Sequence, residues 1–218
     1  FARGLPLPLK AAALAAIGPA RDVDLLRCDG LKGNKRYGAT IATAGFSAAV
    51  NIRADRMAWP RGSSRYTFAT LLELARLPRY ELDLVIDGIE VDGSCLMVAI
   101  ANTKAFGGGM QIAPNADPTT GVLDVVVVRD TSALSLLRML PKTFKGLHLD
   151  HPAVEVRTGR SIQLGLRGSD HSVRLSLRSD GEDVGSLPQT VTVVPGGLRV
   201  AGASPLISIA GEAKENTE

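Results

Sequence analysis

Glu81-Leu82-Asp83-Leu84-Val85-Ile86, closed by Asp87-Gly88, reads as a short strand ended by a two-residue turn, and it opens a long series of the same kind. Cys95 to Ala101, Val122 to Val128, Val154 to Thr158, Ser161 to Leu166, Val173 to Leu177 and Val191 to Val194 carry the same signal. Short strands repeated with turn residues between them predict a sandwich or a barrel. The one interruption is Ser132 to Lys145, a leucine-bearing helix that Pro141 is expected to kink or split.

Upstream of Glu81 the pattern is mixed. Val23-Asp24-Leu25 begins a strand, Asp29-Gly30 and Gly33-Asn34 are turn pairs, and Tyr37 to Ala44 is read as the strand that returns to form a hairpin. Phe46 to Arg56 is a plausible helix. Trp59-Pro60-Arg61-Gly62-Ser63-Ser64 breaks it, and Tyr66 to Leu77 follows as a second helical run, with Leu71, Leu74 and Leu77 on one face and Pro78 as its stop. At the start, Leu7 to Ile17 suits a helix ended by Gly18-Pro19; at the other end, Gly211 to Glu218 reads as a poorly held tail.

Composition narrows the class. A chain of 218 residues, 45% hydrophobic and 22% charged, can close one good core, and 23 glycines and 12 prolines beside few aromatics favour many turns over a helical bundle. The +3 net charge comes from 25 basic and 22 acidic residues scattered along the chain, without the basic block of a nucleic-acid arm. The low aromatic content argues against a stacking platform for single strands. Cys28 and Cys95, far apart and outside any Cys-x-x-Cys spacing, fit small core residues in a reducing compartment. No apolar run reaches the length of a membrane span, and a chain that starts at Phe1 without a signal-like segment is expected to be a truncated piece.

Taken one at a time, the motifs favour structural readings. Gly107-Gly108-Gly109 lacks the Gly-Lys-Ser/Thr ending of a phosphate loop and is expected to turn the chain. Asp117-Pro118-Thr119-Thr120-Gly121 gathers oxygen donors suited to a hard cation, but with one carboxylate it reads as an Asx-type turn. His148 and His151 are interrupted by Pro152 as a metal pair, and Asp180-Gly181-Glu182-Asp183 has the form of a hairpin turn.

Together and in order, however, these pieces resemble the diacylglycerol kinase catalytic family, related to sphingosine and ceramide kinases. The resemblance rests on Phe1-Ala2-Arg3-Gly4-Leu5, Asn102 with Phe106-Gly107-Gly108-Gly109-Met110, Ala113-Pro114-Asn115-Ala116 and Gly121-Val122-Leu123-Asp124-Val125. It continues through Pro141-Lys142-Thr143-Phe144-Lys145-Gly146, His151-Pro152 and Asp180-Gly181-Glu182, up to about Pro195.

The resemblance implies a two-domain kinase with its active site in the cleft between an α/β nucleotide domain and a two-sheet antiparallel β-sandwich. Residues 1–22 would be the last helix of the first domain, residues 23–201 the sandwich, and residues 202–218 a tail. It implies transfer of the γ-phosphate of ATP, with Mg²⁺, to a lipid hydroxyl. Diacylglycerol would give phosphatidic acid; the alternatives are a sphingoid base, ceramide or phosphatidylglycerol as acceptor, or a non-catalytic lipid-binding module. Glu182 and Asp24 would be the catalytic carboxylates, Arg3 would steady phosphate, and Asp117, Thr120 and Val122 would hold a structural Mg²⁺. Thr120 and Ser47 stand where the family commonly has aspartates. The implied setting is cytoplasmic and peripheral to a membrane that presents the lipid substrate, with no nucleic acid as partner, a homodimer left open, and the fragment alone inactive.

Overall fold

The computed structural model describes residues 19–30, 33–59, 65, 68–70, 72–73, 82–106, 109–166 and 175–201. Its strands are β1 (Arg21–Gly30), β2 (Lys35–Gly38), β3 (Ile41–Gly45), β4 (Leu82–Ile86), β5 (Ile89–Glu90) and β6 (Cys95–Ala101), followed by β7 (Leu123–Arg129), β8 (Val154–Gly159), β9 (Ser161–Leu166), β10 (Ser176–Ser179), β11 (Glu182–Ser186) and β12 (Gln189–Val200). Two helices, α1 (Phe46–Arg56) and α2 (Ala133–Thr143), accompany them.

The strands form two six-stranded sheets, ordered β2-β1-β12-β9-β4-β5 and β11-β10-β3-β6-β7-β8, with antiparallel pairing throughout. This is the predicted sandwich. Leu26, Leu84, Ile162, Leu164 and Val191 of the first sheet meet Val98, Ile100, Val125, Val127 and Leu177 of the second in a single buried core.

The second sheet is also covered outside. Ala99, Ala101, Val126 and Val128 on its outer face pack against Leu136 and Met139 of α2 and against Ile112 and Ala113. Burial on both faces explains why β6 and most of β7 are unbroken apolar runs, whereas β4 and β9 alternate. Burying a side chain of this size stabilises the fold by about 2 kcal/mol.

Several expectations change. Tyr37 to Ala44 is not one strand: β2 pairs with β1, and after Ala39-Thr40 the chain crosses to the other sheet as β3, paired with β6. Pro141 does not split α2, which runs to Thr143; a proline this near the end removes little of the hydrogen-bond ladder. The Asp180-Gly181 turn is followed at once by a strand, β11, and β12 continues past Pro195 to Val200. The first strand begins at Arg21, two residues before the expected domain boundary. Phe68, Ala69, Thr70, Leu72 and Glu73 are helical within the second helical run, as is Arg65 just before it. Its remainder, the Leu7–Ile17 helix, the 202–218 tail and Gly107-Gly108 lie outside the described residues.

Candidate functional site

Asp24 lies in β1 where the register against β12 shifts between Val23 and Leu25. Its side chain is 3% exposed. One carboxylate oxygen accepts from the Gly121 amide at 2.7 Å and the other from the Gly196 amide at 2.9 Å. Both glycines have positive φ, 68° and 59°, a backbone shape that turns their N–H groups inward and strains any side chain. The main chain of Asp24 is engaged as well: its N–H donates to Pro118 O at 2.6 Å and its carbonyl accepts from Asn102 Nδ2 at 2.7 Å. Asp24 thus ties the 117–121 loop and the bend in β12 to β1. A carboxylate so engaged is suited to holding backbone.

The 117–121 loop is closed by its own hydroxyls. Asp117 Oδ1 accepts from the Thr119 amide at 3.0 Å and from Thr119 Oγ1 at 2.7 Å, the expected Asx turn. Thr120 Oγ1 lies 3.1 Å from Asp117 O and 3.4 Å from Val122 O, with its proton shared between the two carbonyls. Magnesium demands near-octahedral oxygen ligands at about 2 Å and favours carboxylates. Here the carbonyls of Asp117 and Val122 face a neutral donor, and no group of three His, Cys, Asp or Glu side chains that could hold a metal occurs among the described residues. The donor set fits a hydrogen-bonded turn and does not fit the structural Mg²⁺ implied for Asp117, Thr120 and Val122.

A cleft of about 730 Å³ opens over this loop, lined by Asp22, Asp24, Thr119, Thr120, Arg160 and Thr192 among others. Glu182 is not on its walls.

Glu182 opens β11, exposed, beyond the Asp180-Gly181 turn. Asp180, at φ 53°, shapes that turn. Its carboxylate accepts from the Ala39 amide at 2.6 Å, from the Thr40 amide at 2.9 Å and from the Thr40 hydroxyl, while its own N–H donates to Ile41 O at 3.2 Å. Arg178 holds the turn from another side, donating to Gly181 O and pairing with Asp55 of α1 at 2.7 Å. The hairpin that carries Glu182 is therefore fastened to the point where the chain changes sheets.

Glu182 and Asp24 belong to different sheets and to different environments, one exposed and one buried. They are joined indirectly. Asn102, fully buried, donates to Asp24 O and to Ala39 O at 3.0 Å, and Ala39 in turn donates to Asp180. Sequence reasoning missed Asp180 as the organiser of this region; its signal was an Asp-Gly pair directly before the candidate glutamate. Arg3 lies outside the described residues.

His148 and His151 have structural partners. His148 is buried with Nε2 3.1 Å from Ile112 O, and burial lowers its pKa. His151 Nδ1 accepts from the Ala153 amide at 3.1 Å, which places the proton of the neutral ring on Nε2, 2.8 Å from Ser135 Oγ. Cys28 and Cys95 are buried free thiols, pushed up to about 12 and about 11 chiefly by desolvation. Gly109 donates to Phe106 O at 3.1 Å inside a Phe106–Met110 bridge, so the described end of the glycine run turns the chain.

Residues 40–202 match the family model described as the YegS C-terminal NAD kinase beta sandwich-like domain. A diacylglycerol kinase of Mycobacterium tuberculosis is 36% identical over 200 residues, covering 90% of this chain and 63% of that protein. A diacylglycerol kinase of Bacillus subtilis is 23% identical, covering 86% and 60%. The fold is similar to a crystal structure from Bacillus anthracis str. Sterne, with a TM-score of 0.69, 17% identity and coverage of 91% of this chain and 63% of that one. A diacylglycerol kinase structure from the same strain gives a TM-score of 0.60 at 14% identity, covering 91% and 61%. The chain spans less than two thirds of the length of these relatives. The family model and the two-sheet architecture agree, and the chain belongs to the YegS C-terminal β-sandwich family of the diacylglycerol kinase-like proteins.

Proposed function

We propose that this chain is the sandwich part of an ATP-dependent lipid kinase that transfers the γ-phosphate to the hydroxyl of diacylglycerol, giving phosphatidic acid. The observation that carries the reading is the 36% identity to a protein named diacylglycerol kinase along nine tenths of the chain. The geometry supports it through Glu182, an exposed carboxylate on a turn fastened at both flanks.

In this reading the phosphate donor is bound by a nucleotide-binding part outside the 218 residues, and Mg²⁺ bound with ATP offsets charge on the transferring group. The chain's own contribution is positional. Asp180 and Arg178 set the height and direction of the turn so that Glu182 projects toward the reacting groups. Asn102 and Ala39 tie that turn to Asp24, which in turn shapes the 117–121 loop. Phosphoryl transfer depends on alignment and electrostatics more than on covalent chemistry, so a rigid carboxylate is what such a half-site should supply.

The test is turnover by the complete protein on diacylglycerol in mixed micelles with ATP and Mg²⁺. Phosphatidic acid formation is expected. Absence of turnover on diacylglycerol, sphingoid bases, ceramide and phosphatidylglycerol alike would reject the kinase and leave a lipid-binding module.

A further inference from the structure

We propose that α2 and the turn after it form the surface by which this protein lies on an anionic membrane. Helix α2 has two apolar faces. Leu136 and Met139 pack onto the outer face of the second sheet. Leu134, Leu137 and Phe144, spaced so that they share another face, are 55%, 44% and 50% exposed.

The end of the helix adds to this face. Gly146, at φ 71°, donates to Thr143 O at 3.3 Å and Leu147 donates to Lys142 O at 3.0 Å, the pair of bonds that turns a chain back on its own helix. Leu147 is held there, 53% exposed. Gln111 N–H donates to Thr143 O at 2.8 Å, so the helix end is anchored to the loop beneath it. The apolar side chains are displayed by a fixed element.

Charge indicates the occupant. Arg138, Lys142 and Lys145 follow one another at helical spacing beside the apolar stripe, exposed, and none is paired with a carboxylate among the described residues. Residues 132–149 contain no Asp or Glu. A two-fold contact with a second copy would set this basic stripe near its own image and repel. A membrane bearing anionic headgroups satisfies both stripes: the leucines and Phe144 enter the acyl boundary while the long basic side chains reach the phosphates. The inference draws on the lipid-kinase reading only in expecting a membrane to be the source of substrate.

The test is co-sedimentation of the complete protein, without nucleotide, with phosphatidylcholine vesicles that contain or lack phosphatidylglycerol. Binding is expected only with the anionic lipid and should weaken as salt is raised. Leu137→Ser with Phe144→Ser, and separately Lys142→Gln with Lys145→Gln, should each lower the vesicle partition coefficient by about tenfold, with an unchanged melting temperature. Unchanged binding in both variants would overturn the proposal. So would a vesicle-independent dimer that the leucine and phenylalanine changes dissolve. Turnover on a detergent-dispersed acceptor is the separate check on the kinase: if it persists while vesicle binding ignores α2, the surface is wrong and the kinase stands.

Discussion

Two aspartates, Asp24 and Asp180, do similar hydrogen-bonding work in different surroundings. Each receives two backbone amides from segments remote in sequence: Gly121 and Gly196 for Asp24, Ala39 and Thr40 for Asp180. Asp24 is itself buried at the base of a cleft, with its donors on the half-buried Gly121 and the exposed Gly196. Asp180 is at an exposed turn, where water is at hand. Burial closes the first carboxylate to solvent and leaves the second, with the neighbouring Glu182, open to water.

The comparison is broken most directly by removing the buried acid. Asp24→Ala should cost about 2 kcal/mol, because two charge-assisted bonds to the Gly121 and Gly196 amides are lost. Urea unfolding of the complete protein measures it, and a loss below about 1 kcal/mol would show that the loop and the β12 bend hold without Asp24. Glu182→Ala is the opposite case: turnover should fall by about a hundredfold or more while the unfolding midpoint stays put. Near-normal turnover would remove Glu182 from the site. Asp180→Ala should lie between them, costing about 1 kcal/mol in stability because its amides can turn to water, yet lowering kcat through the misplaced hairpin.

Two smaller effects sharpen the contrast between buried and exposed groups. Burial favours neutral His148 in the fold, so its contribution is complete above its ordinary pKa of 6.5 and is lost as pH falls through the lower folded value. Acidification below about pH 6.5 should thus lower the urea midpoint, and His148→Gln should flatten that slope. The smallest effect concerns the 117–121 loop. With Thr120 donating to the Asp117 and Val122 carbonyls, EDTA should leave the melting temperature of the nucleotide-free protein unchanged. Thr120→Asp, which points a carboxylate at the same carbonyls, should lower it in EDTA and restore it with Mg²⁺. A wild-type melting temperature that drops in EDTA would overturn the hydrogen-bonded account of the loop.

Most of the sandwich was legible in advance because its central strands announce themselves. Cys95 to Ala101 and Ser161 to Leu166 have the expected bounds, since long apolar or alternating runs leave little freedom in where a strand starts and stops. The misses share a cause. No strand was expected over Glu182 to Ser186 because β11 is an edge strand, polar where it faces water. The strand expected over Val191 to Val194 runs on through Pro195-Gly196-Gly197 and is held there by Asp24 from the other end of the chain. The change of sheet at Ala39-Thr40 left no local mark because the acceptor that holds it, Asp180, lies about 140 residues away.

The order of motifs was enough to identify the family and the sandwich, and to single out Asp180-Gly181-Glu182 as a place of interest, because strand-forming patterns and short motifs are written locally in the chain. The different surroundings of Asp24 and Glu182 were not written there. A carboxylate's role follows from which amides converge on it and whether water reaches it, and both are settled when strands from opposite ends of the chain come together.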